Sequence, residues 1–314
     1  MVATIFSTGL TIPIESAFAI EGEGTLYATE PFRCELWTID PSNGDSSLIG
    51  TTFDGDIPVR LPSLAVDPTS GIMYAGGGGG GSQTASCEDE FGEELDIEDS
   101  PDLYIVDPSN GDLTLVGPTN QGNLVGLDFR SDGTLFAAVK VPQQGSGGNS
   151  LGIVDITTGD TTIIGTGFGF ERINSIAFLG STLYGVSYND ELYTIDTSTG
   201  EATVIDDESG IDLGASQFAC DGTYYVGQGT TGEDFGTLDI TNGVFSLISS
   251  ITLDETIGGF AFSETCPDIA IGGTFVPIDQ SALLLAGAQS ISMWMIPVVI
   301  AGIGIGVFVI KRRN

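Results

Sequence analysis

The sequence predicts an all-β protein built as a ring of repeated four-stranded units, and three observations carry that reading. The first is a phrase that occurs five times: an apolar pair, two residues, Asp, a Gly-containing turn and a short apolar run. It reads Leu36-Trp-Thr-Ile-Asp-Pro-Ser-Asn-Gly-Asp, Leu103-Tyr-Ile-Val-Asp-Pro-Ser-Asn-Gly-Asp and Leu151-Gly-Ile-Val-Asp-Ile-Thr-Thr-Gly-Asp. It continues as Leu192-Tyr-Thr-Ile-Asp-Thr-Ser-Thr-Gly-Glu and Phe235-Gly-Thr-Leu-Asp-Ile-Thr-Asn-Gly-Val. The second is the spacing: the phrases start 67, 48, 41 and 43 residues apart. A period in the low forties made of four short strands is that of a β-propeller. The third is composition: 46 glycines and 41% apolar residues suit a β-rich, turn-rich chain. One such ring uses most of the 314 residues.

The strands of each unit follow in order. After the Asp-x-x-x-Gly turn comes a short strand such as Leu113-Thr-Leu-Val. A loop leads to an apolar run with small residues, as in Leu124-Val-Gly-Leu-Asp-Phe and Ile173-Asn-Ser-Ile-Ala-Phe. A turn and a further strand end the unit, as in Leu135-Phe-Ala-Ala-Val and Leu183-Tyr-Gly-Val. In the turns, Gly accepts positive φ, and Asp or Asn bonds its own backbone.

This pattern resembles the NHL and YVTN-type propeller repeats. The resemblance implies that the apolar run with small residues is the innermost strand. Five such runs occur, at 61–66, 124–129, 173–178, 213–218 and 257–262. Their third residues are Ser63, Gly126, Ser175, Ala215 and Gly259, all small, as crowding at the axis demands. The last run lacks outer partners, and the first outer strands lack an inner one. Joining them predicts a five-bladed propeller over 20–266 whose first blade is made from both chain ends. Closure also removes edges that would invite aggregation.

This layout bears on the four cysteines. Cys34 and Cys87 fall in equivalent loops of adjacent blades. Cys220 and Cys266 both follow inner strands, on the opposite face. The expected bridges are Cys34–Cys87 and Cys220–Cys266, one of three pairings that four cysteines allow. Such bridges suit an exported protein.

Both ends of the chain speak about the membrane. Residues 1–19 close on Ser16-Ala-Phe-Ala, a signal-peptidase-like site, although no basic stretch precedes it. A signal peptide whose start lies further upstream is expected. From Met293 to Ile310 run 18 residues without a charge. As a helix they would span about 27 Å, at about 1.5 Å per residue. Lys311, Arg312 and Arg313 follow, a basic cluster expected on the cytoplasmic side. A transmembrane helix is therefore expected over 283–314, after a linker and sorting motif at 267–282. Residues 275–314 resemble a tail that recurs on exported proteins of ammonia-oxidising archaea. The resemblance implies a cell-surface protein with the propeller outside, whose tail is either retained or processed.

Charge limits the functions open to the chain. It carries 43 acids against 8 bases and no histidine, a net charge of −35. Such a surface repels nucleic acid and anionic headgroups. The absence of histidine excludes Ser-His-Asp and Cys-His catalysis and imidazole metal sites. No Asn-x-Ser/Thr sequon occurs.

Three departures from the repeat are the candidate functional features. The first is an insertion at 76–102, which opens with six glycines and lacks the Lys and Ser/Thr of a phosphate loop. Nine of its residues 87–102 are acidic. Hard oxygen ligands make Glu88, Asp89, Glu90, Glu93, Glu94, Asp96, Glu98 and Asp99 candidates for Ca²⁺; the alternative is a solvated acidic loop. The second is the channel mouth, where Arg60, Asn123, Arg172, Asp212 and Thr256 immediately precede the inner strands. Arg60, Arg172 and Asn123 could hold a carboxylate, sulfate or sugar, unless the arginines pair internally with Asp212 or Glu255. Asp128 and Gln217 occupy fifth positions of inner strands that elsewhere hold Ala, and are candidate channel-lining groups. The third is the tail.

The expected function is a non-enzymatic, membrane-anchored binding module with a surface protein or glycan partner. Alternatives are a surface carbohydrate-active enzyme, for which Asp56, Asp128, Glu171 and Asp212 are candidate carboxylates, or a structural envelope component.

Overall fold

The computed structural model describes residues 24–78, 87–88, 94–95, 100–141, 149–168, 172–187, 189, 191–206, 210, 212–229, 234–251 and 256–263. They form five four-stranded antiparallel sheets, the blades of a propeller. The first blade joins Gly259–Phe262 to Leu26–Glu30, Glu35–Ile39 and Ser46–Thr51. The second runs Ser63–Val66, Met73–Gly76, Asp102–Val106 and Leu113–Pro118. The third is Asn123–Phe129, Leu135–Lys140, Ser150–Val154 and Thr161–Ile164. The fourth is Ile173–Leu179, Thr182–Ser187, Leu192–Ile195 and Ala202–Asp206. The fifth is Leu213–Phe218, Tyr224–Gln228, Asp234–Leu238 and Phe245–Ser250.

The ring closes through the first blade, where Leu26 lies opposite Phe262 and Thr29 opposite Gly259. The signal-peptide region and the linker, sorting motif and apolar tail lie outside the described residues. Among the described residues no helix is long and apolar enough to cross a membrane.

The blades stack face to face, so the inner and second strands are mostly buried on both faces. Five apolar clusters fill the gaps. Leu26, Tyr225, Phe235 and Phe260 pack between the fifth and first blades. Leu36, Leu64, Tyr104 and Ala261 pack between the first and second. Tyr74, Leu127 and Phe129 fill the next gap, then Phe136, Ile176 and Tyr193, then Leu192, Phe218 and Tyr224. Each large side chain so buried contributes about 1.5–3 kcal/mol.

Backbone meets backbone at the axis. A Cβ on Gly126 would lie 2.8 Å from Ser175 Cα, and one on Gly259 would lie 2.7 Å from Ser63 Cα. Where the third residue is serine, its hydroxyl crosses to the next blade. Ser63 Oγ donates to the Leu124 carbonyl at 2.6 Å, and Ser216 N–H donates to Ser175 Oγ at 3.0 Å.

The perimeter is joined by the turn glycines of the repeated phrase. Gly159 has φ +81°, and a Cβ there would lie 2.3 Å from the Gly117 carbonyl oxygen of the preceding blade. The outer strands are free edges. Their pairing shifts register near Ile49, Val116, Ile205 and Ile248. Such bulges twist an edge away from foreign strands.

Gly126→Ala tests the axial constraint, because Gly126 needs no unusual φ and any cost comes from crowding. The variant should lose about 1–3 kcal/mol in urea unfolding, and an unchanged midpoint would show the axis to be looser than described.

Candidate functional site

The inner strands run from an upper face, where residues 60, 123, 172, 212 and 256 lie, to a lower face. The five Asp-x-x-x-Gly turns are on the lower side. In each, the aspartate accepts the backbone N–H and the hydroxyl two residues on. Asp40 takes those of Ser42 at 2.9 and 2.7 Å, and Asp107 takes those of Ser109 at 2.9 and 2.6 Å. The hydroxyl bond, then the backbone bond, holds Asp40, Asp107, Asp155, Asp196 and Asp239 below the usual carboxylate range. Asp132, also on this side, is held well below that range by the hydrogen bond from Arg130, 2.7 Å away. These acids shape turns.

The upper face is built differently. Between the second and third strands of the first blade the chain turns through Pro31-Phe32-Arg33-Cys34. Glu30, 1% exposed, caps this turn by accepting the N–H groups of Phe32 and Arg33. A short hairpin, Phe53–Asp54 with Ile57–Pro58, lies beside it. Thr52 ties the two together: its N–H donates to the Cys34 carbonyl at 2.6 Å, and its hydroxyl lies 2.7 Å from the Val59 carbonyl. Cys34 is bonded to Cys87, as the blade layout predicts, which joins this loop to the insertion of the second blade. Cys220 is also disulfide-bonded. Its predicted partner Cys266 lies outside the described residues.

Arg60 belongs to this loop cluster. It is 7% exposed; its Nε donates to the Pro31 carbonyl at 3.0 Å, and its guanidinium carbon lies 4.5 Å from the centroid of the Phe32 ring. The side chain clamps a loop of the first blade. Phe32 itself remains 40% exposed, and Ile57 on the hairpin 44%.

The other channel-mouth residues differ from one another. Asn123 is half-buried and lies opposite Lys140 in the third blade. Arg172 is exposed, Asp212 is half-buried and Thr256 is buried. Of the carboxylates considered for glycoside cleavage, Asp56 sits exposed at the hairpin tip and Glu171 lies outside the described residues.

Asp128 is deep in the ring. Its carboxylate accepts Phe178 N–H at 2.6 Å and Gln217 Nε2–H at 3.2 Å. Gln217 Oε1 in turn accepts Phe218 N–H at 2.8 Å. Burial pushes the Asp128 carboxyl up to about 6 against the pull of these hydrogen bonds.

Of the acids considered for Ca²⁺, Glu88 and Glu94 fall in a two-residue ladder, Cys87–Glu88 with Glu94–Leu95. Asp89, Glu90, Glu93, Asp96, Glu98 and Asp99 lie outside the described residues.

Sequence reasoning missed Phe32, Glu30 and Thr52. The available signal was the Glu30-Pro-Phe-Arg-Cys stretch itself, which no other unit repeats.

No family model matches the chain, and no curated protein matches it. Among solved structures it is similar to a chain of the nidogen/laminin complex. The two are 12% identical, with a TM-score of 0.47, over 78% of this chain and 82% of that one. A structural-genomics protein of unknown function from Bacteroides thetaiotaomicron is also similar. There the identity is 12% and the TM-score 0.44, over 78% of this chain and 66% of that one. The five-bladed assignment rests on the strand order of the chain itself.

The Cys34–Cys87 bond spans 53 residues of sequence. Replacing both cysteines by serine should lower stability by about 2–4 kcal/mol, as loop-closure entropy predicts. Reversible denaturation under matched conditions measures it, and an unchanged stability would mean the loop cluster holds without the bond.

Proposed function

We propose that this propeller is a non-enzymatic binding module displayed at a cell surface. Its binding face is the loop cluster on the upper side of the first and second blades. The observation that carries this reading is Phe32. An aromatic ring 40% exposed is held in place by a buried arginine on one side and a capped turn beneath it. Aromatic residues fixed before binding lose little entropy on contact, and they dominate the energetics of most protein interfaces. Ile57, on the hairpin tied to the same loop, adds a second exposed apolar group. Asp56 precedes it, Asp54 lies opposite it in the hairpin, and Glu35 follows the turn at 31–34. The fitting partner is a protein segment with an apolar side chain at its centre and basic groups at its rim.

Display at the surface is supported by the sequence at both ends: Ser16-Ala-Phe-Ala, and the uncharged 293–310 run followed by Lys311-Arg-Arg. Against a glycosidase stands the use of Asp128, whose two carboxylate oxygens are taken up by neighbouring strands.

The test is an array of purified surface proteins and glycans probed with the protein, with product analysis of every bound glycan. A partner protein should bind, and Phe32→Ala should weaken it at least tenfold, the loss of a typical hot-spot residue, with an unchanged melting temperature. Hydrolysis of a glycan that disappears in Asp128→Asn would replace this reading with the carbohydrate-active one. Binding insensitive to Phe32→Ala and Ile57→Ser would move the site elsewhere on the ring.

A further inference from the structure

Among the five inner strands, Ser63–Val66, Asn123–Phe129, Ile173–Leu179, Leu213–Phe218 and Gly259–Phe262, Asp128 is the one ionisable side chain. Its equivalents are Ala65, Ala177, Gln217 and Ala261. Three alanines leave room at this level, and Asp128 and Gln217 reach across it. The resulting hydrogen bonds run from the third blade to two others. Asp128 Oδ2 accepts Phe178 N–H of the fourth blade, and Oδ1 accepts the Gln217 amide of the fifth. One carboxylate therefore joins three inner strands, beside the Ser175–Ser216 bonds and the Asn149 Nδ2–H bond to the Ile173 carbonyl.

No cation among the described groups on this side balances it. The fourth blade presents Tyr184, and the fifth presents Gln217, Ser216 and the phenol of Tyr224, which is buried and raised in part by Asp128 itself. The first and second blades present Ala261 and Ala65 at this level. Arg130, two residues along the same strand, is turned to Asp132 at 2.7 Å and stacks over Phe136.

We propose that Asp128 is a proton-linked clasp at the axis. One proton taken from solvent, on passing from neutral to mildly acidic water, relieves the cost of a charge buried at this joint and so stabilises the folded ring. The proton removes a charge that the interior solvates poorly. The hydrogen bonds from Phe178 N–H and the Gln217 amide weaken when the charge goes, but burial outweighs them.

The folded carboxyl titrates near 6, above its ordinary 3.8. The folded state thus binds more protons than the unfolded one between those values. The added stability is fully present below the unfolded value and is lost as pH rises through about 6. Between pH 7 and pH 5 the folding constant should rise about tenfold from this group alone. The turn aspartates act with the opposite sign but titrate below 3.8, outside this window.

Two measurements on the whole protein test the clasp. The Asp128 carboxyl carbon, followed by NMR in the unmodified protein, should titrate with a midpoint near 6; a midpoint below about 4.5 overturns the proposal. Denaturant unfolding at pH 5 and pH 7 should give a ratio of folding constants about tenfold larger in the wild type than in Asp128→Asn. Comparing the two cancels the general relief of charge repulsion, which both share. Equal ratios overturn the clasp. Should Asp128→Asn fail to fold, the NMR midpoint decides.

Discussion

Crowding at the axis governs this structure. Five strands converge so closely that adjacent backbones stand within van der Waals reach, as at Gly126 beside Ser175 and Gly259 beside Ser63. At both glycines even a Cβ would press on the neighbouring backbone. Because the strands cannot separate, each blade must splay outward, and buried apolar side chains fill the gaps between blades. Ala65 and Ala177 sit inside, and Tyr74, Tyr193 and Phe235 further out. The same convergence brings one carboxylate within reach of three strands.

The two faces divide the work. Lower turns repeat one solution: an aspartate bonding its own loop and a glycine pressed against the preceding blade. Their aspartates, hydroxyls and glycines serve the turn. Upper loops do not repeat. They carry the insertion, the disulfide, the clamp of Arg60 on Phe32 and the hairpin at 53–58. A ring that holds together through its axis and lower side leaves its upper loops free to specialise.

Much of this was legible in the sequence. The repeated phrase gave the blade count, and the small residues at 63, 126, 175, 215 and 259 marked the inner strands. Strand order alone placed Cys34 beside Cys87, because a disulfide needs only that two backbones come close. Arg60 shows the limit. Its strand position set where its backbone lies, at the start of an inner strand. The direction of its side chain was fixed by Pro31 and Phe32, 29 and 28 positions earlier in the chain, and no local pattern records that contact. Asp128 is similar: its fifth position was readable, but its acceptance of the Phe178 N–H, 50 residues away, was not.

The composite first blade has a consequence for how the chain reaches this state. Leu26 pairs with Phe262, across nearly the whole ring. During synthesis the three N-terminal strands of that blade emerge early and wait, with one edge bare, until the last strand leaves the ribosome. A contact of such long sequence separation is entropically costly and slow to form. In the interval, the edges at both ends of the open arc are exposed to pairing with other chains. The seam that completes the ring is also the step at which its biogenesis is most exposed to error.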